Sequence, residues 1–268
     1  MKLAGRTAVV TGAGSGIGRA LAVSLAGRHC HLALADIDDA ALSQTGVLVE
    51  NRAVKVSLHH LDVADPHAVA ALPKAVAQRH PQVDLLFNNA GVALGGSFEE
   101  ISEADFQWLF DINFWGVVRM SRAFLPVLRQ SDAARIVNIS SLFGLISPPG
   151  QAAYSASKFA VRGFSNALRY ELEGSTVAVT IVHPGGVATS IARNARRTQG
   201  KSAQEIAQTL ARVERLLRMP PHDAAEIIVK GVAKGKARIL VGMDAKLASF
   251  IERLMPVSYW NLLGRGLR

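Results

Sequence analysis

The chain has 268 residues, of which 49% are hydrophobic and 19% are charged. This composition is typical of one large α/β domain with a buried core, and it excludes a disordered protein. The single cysteine, Cys30, excludes an intramolecular disulfide. No apolar run reaches the ~18 residues of a membrane-spanning helix. No signal-peptide pattern precedes the first strand-like run, so a cytoplasmic protein is expected.

The formal net charge of +9 is unevenly placed along the chain. Residues 189–268 contain 15 Lys or Arg but only 6 Asp or Glu, so this region carries the whole excess. A solvated basic surface, an anionic substrate and an acidic membrane surface are three interpretations. A nucleic-acid partner is not expected, because the basic residues are not interleaved with a platform of aromatic side chains.

Strand-like apolar runs alternate with helical patterns along most of the chain. The predicted strands are 7–11, 31–35, 54–61, 83–87, 134–140, 177–183 and 238–241. The predicted helices include 17–28, 66–80, 103–130 and 154–173. This alternation is typical of parallel strands joined by right-handed crossovers. We therefore predict an α/β fold, a single doubly wound Rossmann-type domain with a parallel sheet over residues 1–268.

The pattern changes after residue 187. Ser202 and Glu205 have the spacing of a helix capping box. Behind them apolar residues recur at helical spacing, namely Ala203, Ile206, Ala207, Leu210, Val213 and Leu217. We predict a helical substrate lid over about residues 188–220, although a helix simply packed on the domain surface has the same pattern.

Residues from about 245 to 268 form a predicted C-terminal extension. It combines apolar and basic residues as helices at a membrane surface do. The residues concerned are Lys246, Leu247, Phe250, Ile251, Arg253, Leu254, Met255, Tyr259, Trp260, Arg265 and Arg268. A weak contact with a membrane surface, which would make the protein peripheral to a membrane, is one interpretation. A subunit contact or packing on the domain is the other.

A glycine-rich segment, TGAGSGIG at 11–18, lies between the first predicted strand and the first predicted helix. Such a turn lets the backbone approach a pyrophosphate, and the helix N-terminus offers free N–H groups. The second strand leads into Asp36, whose carboxylate can accept hydrogen bonds from ribose hydroxyls and would repel a 2′-phosphate. Ile37 follows it, so no arginine is placed to bind that phosphate. NAD is expected in preference to NADP, with a helix-capping Asp36 as the alternative.

Tyr154 and Lys158 lie four residues apart at the start of a predicted helix, so their side chains share one face. An unperturbed tyrosine titrates near ~10, and a neighbouring ammonium group favours the phenolate. Ser140 and Ser141 emerge where the fifth predicted strand ends, at the edge of the sheet where such folds bind ligands. A catalytic tyrosine that exchanges a proton is one interpretation of this spacing, and a coincidental pair on the surface is the other; no metal is predicted.

Together these motifs resemble those of the classical short-chain dehydrogenase/reductase family, in the family's order and spacing. They are TGAGSGIG at 11–18, NNAG at 88–91, Asn113, NISS at 138–141, YSASK at 154–158 and Pro184-Gly185. The resemblance covers residues 5 to about 190. It implies an NAD(H)-dependent oxidoreductase that interconverts a secondary alcohol and a ketone.

The resemblance implies roles for four catalytic residues. Tyr154 is the general acid/base, and Lys158 lowers its pKa and holds the nicotinamide ribose. Ser141 binds the substrate oxygen, with Ser140 as its structural neighbour. Asn113 shapes a helix and orders a water of the proton relay. The implied cofactor contacts are Gly12, Ser15, Gly16, Ile17, Gly18, Asp36, Asp62, Val63, Asn89, Ala90, Gly91, Tyr154, Lys158, Pro184, Gly185, Val187 and Thr189.

The predicted substrate pocket is apolar. The loop 142–149, residues 92–94 and the apolar face of the predicted lid are expected to line it with few polar groups. This lining favours an apolar alcohol or ketone, such as a long-chain, cyclic or steroid-like compound. Packing of the same residues against the core is the alternative interpretation. His183 is expected to be a loop residue rather than a second base.

Similar enzymes form homodimers through the helices at 103–130 and 154–173, often paired into homotetramers, so the resemblance implies a homo-oligomer. A non-catalytic NAD-binding sensor or scaffold of the same fold is the alternative function, and a peripheral membrane protein is a third. The complete set of Asn113, Ser141, Tyr154 and Lys158 argues against a scaffold, which has no need of it.

Overall fold

The computed structural model describes residues 1–197 and 203–264. The first half contains β1 Thr7–Thr11, α1 Gly16–Ala26, β2 His31–Asp36, α2 Asp39–Val49, β3 Val56–His60, α3 Pro66–Ala77, β4 Leu85–Asn88, β5 Leu94–Gly95, α4 Glu103–Phe110 and α5 Gly116–Leu128. The second half contains β6 Ala134–Ile139, α6 Ala152–Glu171, β7 Val177–Pro184, β8 Arg196–Arg197, α7 Ala203–Leu216, α8 Pro221–Ala233, β9 Arg238–Val241, α9 Met243–Leu254 and α10 Tyr259–Leu263.

Seven of these strands form one parallel sheet in the order β3-β2-β1-β4-β6-β7-β9. The order reverses between β1 and β4, which pair through Val9 and Leu86. In doubly wound sheets, ligands bind outside the carboxyl ends of the strands at this reversal. The predicted fold is confirmed, and the ends of the predicted strands move by at most two residues. The remaining pair, β5 and β8, forms a separate two-stranded ribbon.

Apolar side chains alternate along the central strands and fill two layers. Val10 and Phe87 face the layer that includes α1, α2 and α8, whereas Val9 and Leu86 face the layer that includes α3 and α5. All four side chains are fully buried. A parallel sheet covered on both faces needs apolar residues at every position, which explains the continuous apolar runs in the sequence.

The helical stretch predicted at 103–130 is interrupted. A π-helical turn, Asp111–Trp115, joins α4 to α5 and contains the fully buried Asn113. Single π turns inside helices occur frequently at functional sites. The π-helical turn therefore indicates that Asn113 belongs to a functional site.

The lid and C-terminal regions contain further helices. α7 begins at Ala203, in agreement with the helix predicted there, but Ser202 lies outside the described residues and the capping box stays a prediction. The predicted C-terminal extension forms α9 and α10, and its last four residues, 265–268, are also outside the described part. Within residues 1–197 and 203–264, no helix is both long and apolar enough to cross a membrane.

Asp84 is a buried carboxylate that joins several elements. It directly precedes β4, so it lies at the amino ends of the strands, opposite the carboxyl ends where ligands bind. Its Oδ2 accepts a hydrogen bond from the Thr7 backbone N–H at 2.8 Å. Its Oδ1 accepts from Arg6 at 2.8 Å, Ser131 at 2.6 Å and Gln82 at 2.6 Å. Burial alone would raise the pKa of Asp84, but these hydrogen bonds outweigh it and hold the pKa below its usual value.

Candidate active site

The glycine-rich turn between β1 and α1 is pressed against the NNAG segment. Gly12 has a φ of +64°, and a Cβ built there would lie 2.8 Å from the Cα of Ala90. A Cβ on Gly18 would collide with the Gly12 carbonyl oxygen, so the turn admits no side chain at either position. The first amides of α1 are thus left open to a ligand above the turn.

Two side chains fix the shape of this turn. Asn89 Nδ2 donates to the carbonyls of Thr11 at 3.0 Å and Gly12 at 3.2 Å. Thr11 Oγ1 in turn accepts from the backbone N–H groups of Asn89 and Ala90, both at 3.0 Å. The ends of β1 and β4 are therefore joined at the point where the strand order reverses.

Asp36, at the end of β2, bonds the same turn. Its Oδ2 accepts from the Gly14 N–H at 2.7 Å and its Oδ1 from the Asp38 N–H at 3.0 Å. The cap of α2 is Asp38, whose side chain accepts from Ala41 N–H. The alternative of a helix-capping Asp36 is therefore wrong, because Asp38 occupies that position.

Asp62 and Val63 lie beyond the carboxyl end of β3, which is the neighbour of β2 in the sheet. Asp62 Oδ1 accepts from the Ala64 N–H at 2.8 Å, which closes its own loop. Val63 is 7% exposed and packs on Gly116, where a Cβ would lie 2.9 Å from its Cγ2. Val63 thus forms a wall between the strand ends and α5.

The π-helical turn brings Asn113 onto the segment that follows NNAG. Its Oδ1 accepts from the Val92 N–H at 2.9 Å, and its Nδ2 donates to the Val92 carbonyl at 3.0 Å and to Ser157 Oγ at 3.2 Å. A Cβ on Gly91 would lie 3.1 Å from Asn113 Oδ1 and 3.4 Å from Lys158 Nζ. Asn113 therefore connects the strand-end loop to the helix that carries Tyr154 and Lys158.

The two adjacent serines have different environments. Ser140 is buried, and its hydroxyl donates to the Lys158 carbonyl at 2.9 Å. Ser141 is partly exposed, its hydroxyl accepts from the Phe143 N–H at 3.1 Å, and it lies near enough to the Tyr154 phenol to lower the pKa of that phenol. Successive residues at the end of a strand point in opposite directions, so only Ser141 faces the same space as Tyr154.

Tyr154 and Lys158 lie one turn apart on α6. Lys158 is 4% exposed, its Nζ lies 5.7 Å from the centre of the Tyr154 ring, and it donates to the Ile139 carbonyl at 3.3 Å. Burial lowers the pKa of Lys158 to about 8. Burial raises the pKa of Tyr154, and the neighbouring Ser141 hydroxyl works in the opposite direction. Lowering of the Tyr154 pKa by Lys158 therefore stays a prediction for the cofactor-bound protein.

Comparison with known proteins identifies the family of the chain. The family profile for short chain dehydrogenases matches residues 6–200. The Mycobacterium tuberculosis protein SadH, which is named as an oxidoreductase, is 46% identical over 265 residues, covering 98% of this chain and 95% of that protein. The chain belongs to the short-chain dehydrogenase/reductase family.

Solved structures of this family superpose closely. A short-chain dehydrogenase/reductase from Burkholderia phymatum in complex with NAD has a TM-score of 0.88 and 32% identity, over 95% of both chains. An alcohol dehydrogenase from Thermococcus sibiricus complexed with 5-hydroxy-NADP has a TM-score of 0.75 and 27% identity, over 88% of this chain and 95% of that one. Both nicotinamide cofactors thus occur among the neighbours.

In this short-chain dehydrogenase/reductase, Gly185 and Gly186 follow the end of β7. They are held by Asp244, a residue that no sequence pattern singled out. Asp244 Oδ2, in the first turn of α9, accepts from the Gly186 N–H at 2.6 Å. A Cβ on Gly185 or Gly242 would collide with the same carboxylate. Because Asp244 lies 58 residues from Gly186, local spacing gives no signal for it.

The segment after Gly186 returns to the glycine-rich turn. Val187 is 4% exposed and forms a bridge with Met219, beyond the end of α7. A Cβ on Gly16 would lie 3.0 Å from Cγ2 of Thr189. The residues that directly follow β7 therefore lie against the N-terminus of α1.

His183 is not the loop residue that the sequence suggested. It lies within β7, which extends to Pro184 because both residues pair with β9, and it is fully buried. Its Nδ1 lies 3.0 Å from the Ser141 carbonyl, so a neutral ring donates there. Burial lowers its pKa to about 4, which keeps the ring neutral and makes it a support for Ser141.

Only part of the loop 142–149 lies next to Tyr154. Phe143 meets Tyr154 edge to face, with ring centres 6.1 Å apart, whereas Leu145 and Ile146 are buried in the domain. The expectation that the whole loop 142–149 lines a pocket is therefore too broad. Tyr259 of α10 binds this loop, because its phenol oxygen accepts from the Ser147 N–H at 3.0 Å.

Proposed function

We propose that this protein is an NAD(H)-dependent oxidoreductase that interconverts a secondary alcohol and a ketone. The observation that carries the proposal is the joint placement of Ser141, Tyr154 and Lys158 at the carboxyl end of the sheet. Ser141 lies near enough to the Tyr154 phenol to lower the pKa of that phenol, and Lys158 lies beside the Tyr154 ring. A hydroxyl donor, a proton-exchanging phenol and an ammonium group suit chemistry at a carbonyl or alcohol oxygen.

Two residues act on the substrate oxygen in this mechanism, and Lys158 acts on one of them. Ser141 donates a hydrogen bond to it, and Tyr154 takes its proton in oxidation or gives a proton in reduction. Lys158 stabilises the phenolate that oxidation requires and holds the nicotinamide ribose. When bound, the nicotinamide ring accepts or supplies the hydride at the carbon. Asn113 positions α6 relative to the strand ends and orders a water that connects Lys158 to solvent.

The residues around the glycine-rich turn fit a dinucleotide. Gly12, Gly16 and Gly18 leave its floor free of side chains, and within the described part of the chain Ser15 makes no side-chain cap to α1. Pyrophosphate binding suits such a helix N-terminus. The residues that would hold the remainder of the cofactor are Ile17, Asp36, Asp62, Val63, Asn89, Ala90, Gly91, Tyr154, Lys158, Pro184, Gly185, Val187 and Thr189.

The Asp36 carboxylate supports a preference for NAD over NADP. It is partly exposed beside the turn, where it can accept from ribose hydroxyls and repels a 2′-phosphate. Asp36→Asn should raise kcat/KM with NADP at least about tenfold relative to NAD, because one like-charge repulsion is removed. Steady-state kinetics with both cofactors measures this ratio.

Asp39→Asn is the matched control for this change. Asp39 is three residues away, and its side chain is 70% exposed and bound to His60. The control should leave the ratio as it is in the native protein. An unchanged NADP-to-NAD ratio in Asp36→Asn would show that cofactor choice depends on other groups.

The adjacent serines provide a test of the assignment. Ser141→Ala should lower kcat about 10²- to 10³-fold, the usual effect of removing one preorganised donor to a reacting oxygen. Ser140→Ala should instead lower the free energy of unfolding by about 1–3 kcal/mol, because a buried carbonyl loses its donor. Kinetics and denaturant unfolding of both variants separate the two roles, and the reverse result would exchange the assignments.

An apolar substrate is part of the proposal. Phe143 and the partly buried Val92 lie near Tyr154, and the segment at about 188–220 would act as a lid. We expect NADH formation from NAD to increase along a series of secondary alcohols from short and polar to long or polycyclic. NADP in parallel checks the cofactor. Tight NADH binding without turnover across the series would favour the sensor or scaffold function instead.

We also propose a homo-oligomer, with a homodimer as its basic unit. Trp115 and Tyr170 support it, since they are 44% and 66% exposed on the helical segment joining α4 to α5 and on α6. Exposed aromatic side chains are enriched at protein interfaces. Light scattering of the native protein gives the molar mass and distinguishes a dimer from a tetramer.

A further inference from the structure

One face of α9 carries an uncovered apolar stripe. Met243, Leu247, Phe250 and Leu254 follow one another at spacings of four, three and four, so they lie on one side of the helix. Their exposures are 74%, 56%, 62% and 65%, and Val257 beyond the helix is 94% exposed. We call these five residues the α9 stripe.

The opposite face of α9 holds the helix flat on the domain. Ala245 and Ala248 are 0% and 3% exposed, and small side chains there allow close packing. The α9 stripe therefore points directly away from the protein. Exposed apolar side chains in a row on one helix indicate an interaction surface more strongly than the same residues scattered singly.

A basic rim runs along one side of the α9 stripe. Lys246 and Arg253 are exposed on α9, and Arg238 donates to Ser249 at 3.0 Å on the same side. Burial lowers the pKa of Arg238, and the positive charges of Arg162 and Arg253 each add to this effect. Glu252 is the acidic neighbour that opposes this effect.

Few carboxylates neutralise the positive charge of this basic rim. Among the described residues, Arg162, Arg238 and Arg253 form no salt bridge with an acidic side chain. Three guanidinium groups that bind no carboxylate are suited to phosphate oxygens, which they can engage through two hydrogen bonds each. Charge complementarity therefore favours an anionic partner.

A second copy of the chain fits this surface poorly. The surface beside the stripe carries Lys246, Arg162, Arg238 and Arg253 against Glu252, so two copies meeting here would bring like charges together. The five residues of the stripe also fall short of the ~20 to 30 residues that each partner contributes to a standard interface. An apolar stripe with a basic rim instead matches helices that lie in the headgroup region of a bilayer.

We propose that the α9 stripe and its basic rim dock the protein on an anionic phospholipid surface. The stripe inserts among the acyl chains at the boundary, and Lys246 with the three arginines binds the lipid phosphates. Because α10 follows α9 and holds the loop at Ser147, docking places the loop near the bilayer. This last step rests on the proposed function, whereas docking itself does not.

Sedimentation of the full chain with vesicles tests the docking. Phosphatidylglycerol in phosphatidylcholine is compared with phosphatidylcholine alone, at low salt and at about 0.5 M salt, which screens the charges. We expect binding only to the anionic vesicles and its loss at high salt. The stripe variant, Leu247→Ser with Phe250→Ser, and the rim variant, Lys246→Gln with Arg253→Gln, should each bind at least about tenfold more weakly.

A matched control uses apolar residues exposed elsewhere. Val47 and Leu48 are 68% and 52% exposed on α2, and Val47→Ser with Leu48→Ser should bind vesicles as the native protein does. Equal binding by the stripe variant and the control overturns the proposal, as does failure of the native protein to bind anionic vesicles. Self-association abolished by the stripe variant, without vesicle binding, would assign the surface to a second copy. Vesicle binding requires no substrate, so it succeeds or fails independently of turnover.

Discussion

Tyr154→Phe is expected to lower kcat/KM for alcohol oxidation by about 10²- to 10⁴-fold, the usual contribution of a positioned acid or base. It should still bind NADH, because it removes only one hydroxyl among the proposed cofactor contacts and keeps the ring and its contact with Phe143. In the native protein the oxidation rate should rise with pH, since burial raises the pKa of Tyr154 and oxidation needs the phenolate. That rise should disappear in the variant.

Tyr170→Phe is the matched control for this experiment. Tyr170 lies on the same helix, is 66% exposed and is far along the chain from the proposed site. It should leave kcat/KM unchanged. Turnover that survives Tyr154→Phe would remove Tyr154 from the mechanism. Equilibrium titration with NADH, monitored by its fluorescence, shows whether a loss of activity is a loss of binding.

Asp84→Ala is expected to lower the free energy of unfolding by about 3–5 kcal/mol, the cost of breaking a buried ion pair by removing one partner. Asp84 is 2% exposed, and its loss leaves the Thr7 N–H and the Arg6 guanidinium without their buried acceptor. Because Asp84 lies at the opposite edge of the sheet from Tyr154, kcat/KM of the folded protein should not change. Denaturant unfolding measures the loss.

Asp132 provides an internal comparison, since it also binds Arg6 but is 76% exposed. Asp132→Ala should lower the free energy of unfolding far less than Asp84→Ala does, as expected for an exposed ion pair. The pKa of Asp84 is lowered in the folded state, so its contribution is present above its unfolded pKa of about 4 and is lost as pH falls through the folded value. Equal losses for both variants at neutral pH would contradict the role of burial.

The parts of the fold that local sequence determines were predicted well. Continuous apolar runs identify buried parallel strands, because a strand covered on both faces has no solvent side. The glycine-rich turn at Gly12 is likewise a local feature, since its strand, turn and helix are consecutive. The i, i+4 spacing of Tyr154 and Lys158 is sufficient by itself to place both side chains on one helix face.

Features that depend on distant parts of the chain could not be predicted in this way. Asp244 holds Gly186 across 58 residues, and no spacing rule connects them. The extension of β7 by one residue beyond the predicted strand, to Pro184, depends on pairing with Val241 of β9 rather than on its own sequence. The environments of Ser140 and Ser141 depend on the register of β6, because a shift of one residue would exchange the directions in which the two side chains point.

The hydrogen bond from the Ser147 backbone to Tyr259 has a consequence for engineering substrate choice. A chimera that receives only the loop 142–149 of another dehydrogenase would place a foreign backbone against a tyrosine that evolved with a different one. Directed recombination should therefore exchange the loop and α10 as one cassette. Libraries that vary the two segments jointly are expected to yield more active clones than libraries that vary either alone.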